Sequence, residues 1–164
     1  MGVKDTQGYG LPSADPGKNL VSAIVEFRDG LTDKGSLCQC CGRFGKVYCR
    51  KINRTMCKGL IWLINEESRT GDRYHAVPAE LRQLPTLKHW GLVERLDNSD
   101  EKKRGGLWAA TPFGERFACN AMRMPERVDE YNGRTIRLHG RQVLISEVIG
   151  IFNYEELMSP VEVN

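Results

Sequence analysis

Five of the six cysteines fall within CQCCGRFGKVYCRKINRTMC (38–57). Cys38, Cys41 and Gly42 have the C-x-x-C-G spacing of a metal knuckle. The glycine permits a tight turn, successive backbone amides point at the sulfurs, and two thiolates can meet one ion. A tetrahedral zinc needs two further ligands, and Cys49 and Cys57 are the nearest thiols, each after seven intervening residues. The predicted zinc set is therefore Cys38, Cys41, Cys49 and Cys57. Alternatives exist at single positions. Cys57 shares a helical face with Leu60, Ile61 and Ile64, where a free cysteine packs as a small hydrophobe. Cys40 could stand in for a neighbour only with poor geometry, and His75 is another candidate for the fourth position. Cys119, far from the cluster, is expected to be buried and inert. Such clustering does not read as a secreted disulfide framework, and in a reducing compartment it points to metal.

The same segment is the basic part of the chain. Net charge is only +3, but residues 38–58 carry six bases and no acid, whereas 59–104 balance at eight of each and 105–164 carry six bases against eight acids. Four thiolates on one zinc ion leave a net negative charge that part of this excess can offset. The remainder predicts phosphate contacts from Arg43, Lys46, Arg50, Lys51 and Arg54, each adding to a salt-dependent affinity for nucleic acid. Phe44 and Tyr48 interleave these bases and are read as packing groups more than as a stacking platform.

Catalysis finds little support. There is no Ser-His-Asp motif, no H-E-x-x-H, and GRFGK (42–46) is too short for a P-loop. Cys38 and Cys41 could form a redox pair, but the thioredoxin-like βαβ context is missing. A non-catalytic protein is expected.

These residues must be positioned by the surrounding elements. Residues 1–19 lack apolar periodicity and are expected to be a mobile tail. LVSAIVEF (20–27) fits either a strand or one helical face, ended by Asp29-Gly30. Asn53 is the expected cap of a helix over 54–67, where Met56, Leu60, Leu63 and Ile64 recur at helical spacing. RYHAV (73–77) reads as extended. AELRQL (79–84) predicts a short helix opened by Pro78 and stopped by Pro85, and TLKHW (86–90) another turn or two before Gly91. LVERL (92–96), a charged tip DNSDEKKRGG (97–106) and LWAAT (107–111) predict a hairpin. Thr111 and Pro112 then open a helix over 112–122.

That order is the order of a winged helix-turn-helix. In such a fold the short helix before the hairpin would face DNA, offering Lys88 and His89 with Arg82 upstream. Lys102, Lys103 and Arg104 would lie at the wing tip, opposed there by Asp97, Asp100 and Glu101. Beyond it, Asn132-Gly133 predicts a tight hairpin between VDEY and RTIRL. QVLI (142–145) is expected as a third strand, followed by short helices capped by Ser146 and Asn153.

The combination of C-x-x-C-G-x-x-x-K-V-Y-x-R-K-I-N, LIWLI, LKHWGLVE, GLWAATPFGERFA, EYNG and FNYEELM resembles a group of small phage-encoded winged-helix proteins of largely undefined function, over roughly residues 36–158. That resemblance implies a winged helix and the first cysteine pair, and it does not supply a full metal set.

Composition sets the remaining bounds. The chain has 164 residues, 40% hydrophobic and 27% charged, enough for one compact domain with a small appended module. Its longest nearly uncharged run, GLIWLIN (59–65), is too short to span a bilayer, and the first residues lack the apolar core of a secretory signal. No membrane association and a cytoplasmic location, that of a bacterial host, are expected. The predicted class is α+β: a tail (1–19), an N-terminal segment with the cysteine-rich zinc module (20–52), a winged helix (53–123), and a C-terminal β-hairpin with short helices (124–164). The predicted partner is double-stranded DNA, in transcription regulation. The rival is a module that binds and inhibits a host or phage protein. A homodimer through 20–28 or 112–122 would suit either.

Overall fold

The computed structural model describes residues 19–96 and 106–150. It is a mixed α+β structure with three small antiparallel sheets. The chain divides into two compact units, the first ending at Tyr48 and the second beginning at Cys49.

In the first unit, the ambiguous LVSAIVEF segment is helical. Helix α1 spans Leu20–Asp29; the Asn19 side chain accepts the Val21 N–H, and Gly30 closes the last turn. Ala23 is its one buried residue, while Leu20, Val21, Ile24 and Val25 are exposed. Strands β1 (Ser36–Leu37) and β2 (Phe44–Gly45) pair as a short ladder, with Leu37 opposite Phe44. The turn between them holds the C-x-x-C-G motif.

The second unit is organised around helix α2 (Arg54–Thr70). Asn53 Oδ1 accepts the Met56 N–H at 3.0 Å, and Gly71 ends the helix in the left-handed conformation at φ 76°, which only glycine adopts without cost. The face carrying Met56, Leu60, Ile61 and Leu63 is buried. Burying such side chains contributes about 1.5–3 kcal/mol each, which is what stabilises a helix whose opposite face is charged.

After β3 (Tyr48–Lys51) and α2 come β4 (His75–Ala76), a 3₁₀ turn at Ala79–Leu81, and a longer 3₁₀ helix at Leu84–Trp90. Pro85 does not stop a helix; it sits in the first turn of this one, where its missing N–H has no partner to lose. Leu84, Leu87 and Trp90 are buried at a spacing of three, the period that aligns one face of a 3₁₀ helix. Strands β5 (Val93–Arg95) and β6 (Leu107–Ala110) follow, and the sheet order is β4-β6-β5. Helix α3 (Pro112–Ala118) is capped by Thr111 as expected, but is shorter than 112–122.

Strands β7 (Met124–Tyr131) and β8 (Arg134–Val143) are joined by Asn132 and Gly133, both at positive φ (51° and 73°), the geometry of a two-residue hairpin turn. QVLI is not a third strand. Val143 ends β8 opposite Met124, and helix α4 (Ile145–Ile149) starts directly after Leu144, so Ser146 lies inside the helix and does not cap it. Strand β3 adds to this hairpin in the order β3-β7-β8. The expected features at 1–18, the hairpin tip at 97–105 and the helix capped by Asn153 lie outside the described residues.

Candidate functional site

Two clusters of charged and polar side chains in the second unit form on the β3-β7-β8 sheet. Alternate residues of a strand face opposite sides, and this separates two clusters. On one side are Cys49 from β3, Arg127 and Asp129 from β7, and Arg137 and His139 from β8. On the other are Arg50 from β3 and Glu130 from β7, joined by His89 from the 3₁₀ helix. Asp129 and Glu130 are consecutive, both buried, and serve different clusters.

In the first cluster, His139 Nε2 is 2.9 Å from Asp129 Oδ1 and 3.9 Å from Cys49 Sγ. Arg137 Nε donates to Asp129 Oδ2 at 2.7 Å, and Arg127 Nη1 lies 3.9 Å from Cys49 Sγ. Burial pulls the Asp129 carboxyl upward, but the hydrogen bonds from Arg137, His139 and Cys49 outweigh it and hold the group below the usual carboxylate range. One donor atom from each of Cys49, Asp129 and His139 lies within 4.8 Å of the others, the one group of three such residues found among the described residues.

In the second cluster, Arg50 donates to Glu130 Oε1 at 2.7 Å, and His89 Nε2 is 2.5 Å from Glu130 Oε2. His89 Nδ1 is 3.0 Å from the Thr135 hydroxyl. His89, expected to approach DNA bases, is therefore buried against the sheet and is not presented to solvent. Its neighbour on the 3₁₀ helix, Lys88, is exposed, as are Arg82 and Gln83.

The cysteines of the predicted zinc set occupy different environments. In the first unit, Cys38 and Cys41 frame a formed knuckle turn. The Gly42 N–H donates to Cys38 O at 2.8 Å, Gly42 has φ 66°, and the Cys38 N–H donates to Arg43 O at 2.9 Å. Hydrogen bonds from the backbone amides of Cys41 and Cys40 hold the Cys38 thiol below its usual range. In the second unit, Cys49 is exposed on β3, whereas Cys57 has no exposed surface and burial pushes its thiol up to about 12. Cys57 is thus a core residue of α2 and lies apart from the group containing Cys49. Cys119 is exposed, contrary to expectation, because it follows the last turn of the shortened α3. His75 Nε2 engages the Asp72 carbonyl oxygen at 2.8 Å and the Thr70 hydroxyl at 3.3 Å, within its own turn.

The predicted phosphate-binding residues divide by pairing. Arg50 is held by Glu130 and Lys51 by Glu126 at 3.3 Å, so both are partly neutralised. In the first unit, Arg43 is exposed and Lys46 Nζ lies 5.8 Å from the centre of the Tyr48 ring. Arg54 and Lys58 are exposed one turn apart on α2. The Asn53 side-chain amide donates to Gln83 Oε1 at 3.0 Å, which joins the start of α2 to the start of the 3₁₀ helix. Arg54 and Arg82 are the chain neighbours of that bonded pair. Lys51, Arg54 and Arg141 also line a groove of about 440 Å³, together with Glu126 and Glu147. Its mixed charges do not define an anion site. Lys102, Lys103 and Arg104 lie outside the described residues.

No family model, curated protein or solved structure matches the chain. No helix among the described residues is long and apolar enough to cross a membrane.

Sequence reasoning missed Asp129, Glu130 and His139. The Asn132-Gly133 turn was the available signal, since it places strands on either side and so brings the acids of VDEY beside His139.

Proposed function

We propose that this is a non-catalytic double-stranded-DNA-binding protein whose residues 54–118 form a winged-helix variant. The observation that carries the reading is the Asn53–Gln83 hydrogen bond. It ties the basic start of α2, with Arg54 and Lys58, to the start of the 3₁₀ helix, with Arg82 and Lys88 further along. The strand order β4-β6-β5, following α2 and two short helices, supports the same reading; the role proposed with it is transcription regulation by a phage-encoded protein.

With only Arg82 and Lys88 exposed as bases on the reading element, most of the affinity comes from phosphate contacts, and base discrimination is weak. Arg43 and Lys46 are further phosphate contacts in this scheme, and His89 is not a base contact. In the Cys49–His139–Asp129 group both partners approach the same ring nitrogen, so this group lacks the in-line proton relay of a catalytic triad.

Mobility shifts on mixed-sequence duplex at low salt should show binding that weakens steeply with added salt. The Arg54, Lys58, Arg82 triple alanine variant should lower the slope of log affinity against log salt by roughly 2–3, about 0.9 per lost phosphate contact. Absence of any shift at low salt, or a variant that binds as wild type does, would sink the reading.

A second reading, a module that docks on a host or phage protein, is favoured by one observation. Strand β8 is the outer strand of its sheet among the described residues, with Ile136 53% and Leu138 40% exposed. Nuclease-treated purification from infected cells separates the two: a stoichiometric protein that survives treatment supports docking, and recovery that depends on DNA supports the first reading.

A further inference from the structure

We propose that Cys49, Asp129 and His139 form an open, three-ligand site for a borderline-soft divalent cation, zinc foremost, which staples strand β3 to the β7-β8 hairpin. The site is independent of DNA binding. It differs from the four-cysteine set in two of its three ligands and in lying wholly within the second unit.

Each strand of the sheet contributes one donor of a different kind: a thiol, a carboxylate oxygen and an imidazole nitrogen. That mixture suits zinc. Magnesium and calcium take oxygen donors, and softer ions take more sulfur. With bonds of about 2.3 Å to sulfur and about 2.0–2.2 Å to nitrogen and oxygen, two ligands on a tetrahedral zinc are roughly 3.3–3.6 Å apart. His139 Nε2 is 2.9 Å from Asp129 Oδ1 and 3.9 Å from Cys49 Sγ, so on these two edges that geometry takes shifts of a few tenths of an ångström, one opening and the other closing, and the Asp129–Cys49 edge lies within 4.8 Å.

The hydrogen bonding points the same way. Asp129 Oδ1 and Cys49 Sγ both face Nε2, and one N–H can serve only one of them well. A cation in place of that proton engages all three, with the ring proton on Nδ1. Binding then releases the thiol proton to solvent and moves the imidazole proton from Nε2 to Nδ1, as metal capture by a thiolate and a neutral histidine requires. Arg137 holds Asp129 Oδ2, which orients the carboxylate and leaves Oδ1 as the ligand. Arg127 Nη1 lies 3.9 Å from the sulfur, and its side chain, 43% exposed, has room to turn toward solvent. Cys49 is exposed and the His139 side chain is 33% exposed, so the fourth coordination position opens to water and the metal exchanges readily.

The test is titration of the full chain with Co²⁺, read by the thiolate-to-cobalt charge-transfer band and followed by competition with Zn²⁺. The band should form, persist in the Cys38→Ser/Cys41→Ser double variant, and vanish in Cys49→Ser and in His139→Ala. Asp129→Asn should weaken zinc at least tenfold. Because these variants could perturb the sheet, the wild-type protein supplies a second reading: zinc should shift the Nε2 resonance of His139 and leave His75 and His89 unmoved. No metal-dependent band, a band unaffected by Cys49→Ser, a band lost with Cys38 and Cys41, or an unmoved His139 resonance would each overturn the site.

Discussion

His89 and Glu130 meet at 2.5 Å between the 3₁₀ helix and β7, and the far oxygen of the same carboxylate is held by Arg50. Nε2 faces Glu130, and Nδ1 lies 3.0 Å from the Thr135 hydroxyl, which donates to the His89 carbonyl oxygen at 3.3 Å. Burial lowers the His89 pKa, Lys88 and Arg50 push the same way, and the attraction of Glu130 does not reverse them. The unfolded chain therefore binds a proton at His89 more readily than the folded one. Its contribution to stability is complete above the ordinary histidine value of 6.5 and is lost as pH falls from there toward the lower folded value. Denaturant midpoints measured from pH 7.5 down to 5 should decline, and the His89→Gln variant should flatten that decline. A midpoint that is constant over this range in the wild type would contradict the assignment.

Cys57 should be chemically silent in the native protein. With its thiol pushed up to about 12 and no exposed surface, a brief alkylation pulse at pH 8 should leave it unmodified while Cys40, Cys41, Cys49 and Cys119 react. Peptide mass analysis reads the pattern directly. Cys57→Ser should destabilise by about 1–3 kcal/mol, because a hydroxyl among Leu60, Leu63 and Leu84 side chains loses water without gaining a partner. Cys57→Ala should cost less than the serine.

Gly114 is fixed by a close approach of two backbones. A Cβ at this position would sit 2.1 Å from the Leu92 carbonyl oxygen, which cannot move without disturbing the segment between the 3₁₀ helix and β5. Gly114→Ala should destabilise by at least about 1–3 kcal/mol, the usual cost of overpacking, despite alanine's better helix propensity. Gly59 offers the contrast. A Cβ there meets Leu84 Cβ at 3.0 Å, an atom fixed by the backbone, so the two elements need to part by only a few tenths of an ångström and Gly59→Ala should destabilise less than Gly114→Ala in the same thermal melt.

Asn53 has two jobs, and they can be separated. Its Oδ1 caps α2 while its amide donates to Gln83. Asn53→Asp keeps the cap acceptor and removes the donor, so stability should hold within about 0.5 kcal/mol. Asn53→Ala removes both and should cost about 1 kcal/mol. If the Gln83 contact positions Arg82 for phosphate, both variants and Gln83→Ala should weaken duplex binding. Gln83→Ala, which leaves the cap intact and adds no charge, is the cleanest reading.

Much of the architecture was legible where local chemistry decides it. Asn53, Thr111 and Gly91 mark element ends by capping rules. Asn132-Gly133 demands a turn with positive φ at both residues. The 3₁₀ helix was legible as an element but not as a type. Leu84, Leu87 and Trp90 recur every third residue, a period that two short helices separated at Pro85 would not need. The long-range sites were less readable. Cys49 and His139 are 90 residues apart in sequence, and irregularities between Pro125 and Arg127 and between Asp129 and Glu130 shift the β7-β8 register. No alternation pattern read along the chain predicts which acid faces which way across such a bulge. His89 was misjudged for a related reason. A titratable residue beside an exposed lysine reads as surface until the strand that covers it is known.

Strand β8 carries its own safeguard against self-association. An outer strand of ten residues, Arg134–Val143, with Ile136 and Leu138 exposed, is a template on which another copy could add. Arg134, Arg137 and Arg141 punctuate it, and Gly140, at φ 89°, breaks its regularity beside Arg141. Arg134 and Arg141 would repel their counterparts on an approaching copy of this edge, while Arg137 is paired with Asp129. Neutralising Arg134 and Arg141 should raise the tendency of this margin to pair with another copy, read by light scattering against concentration.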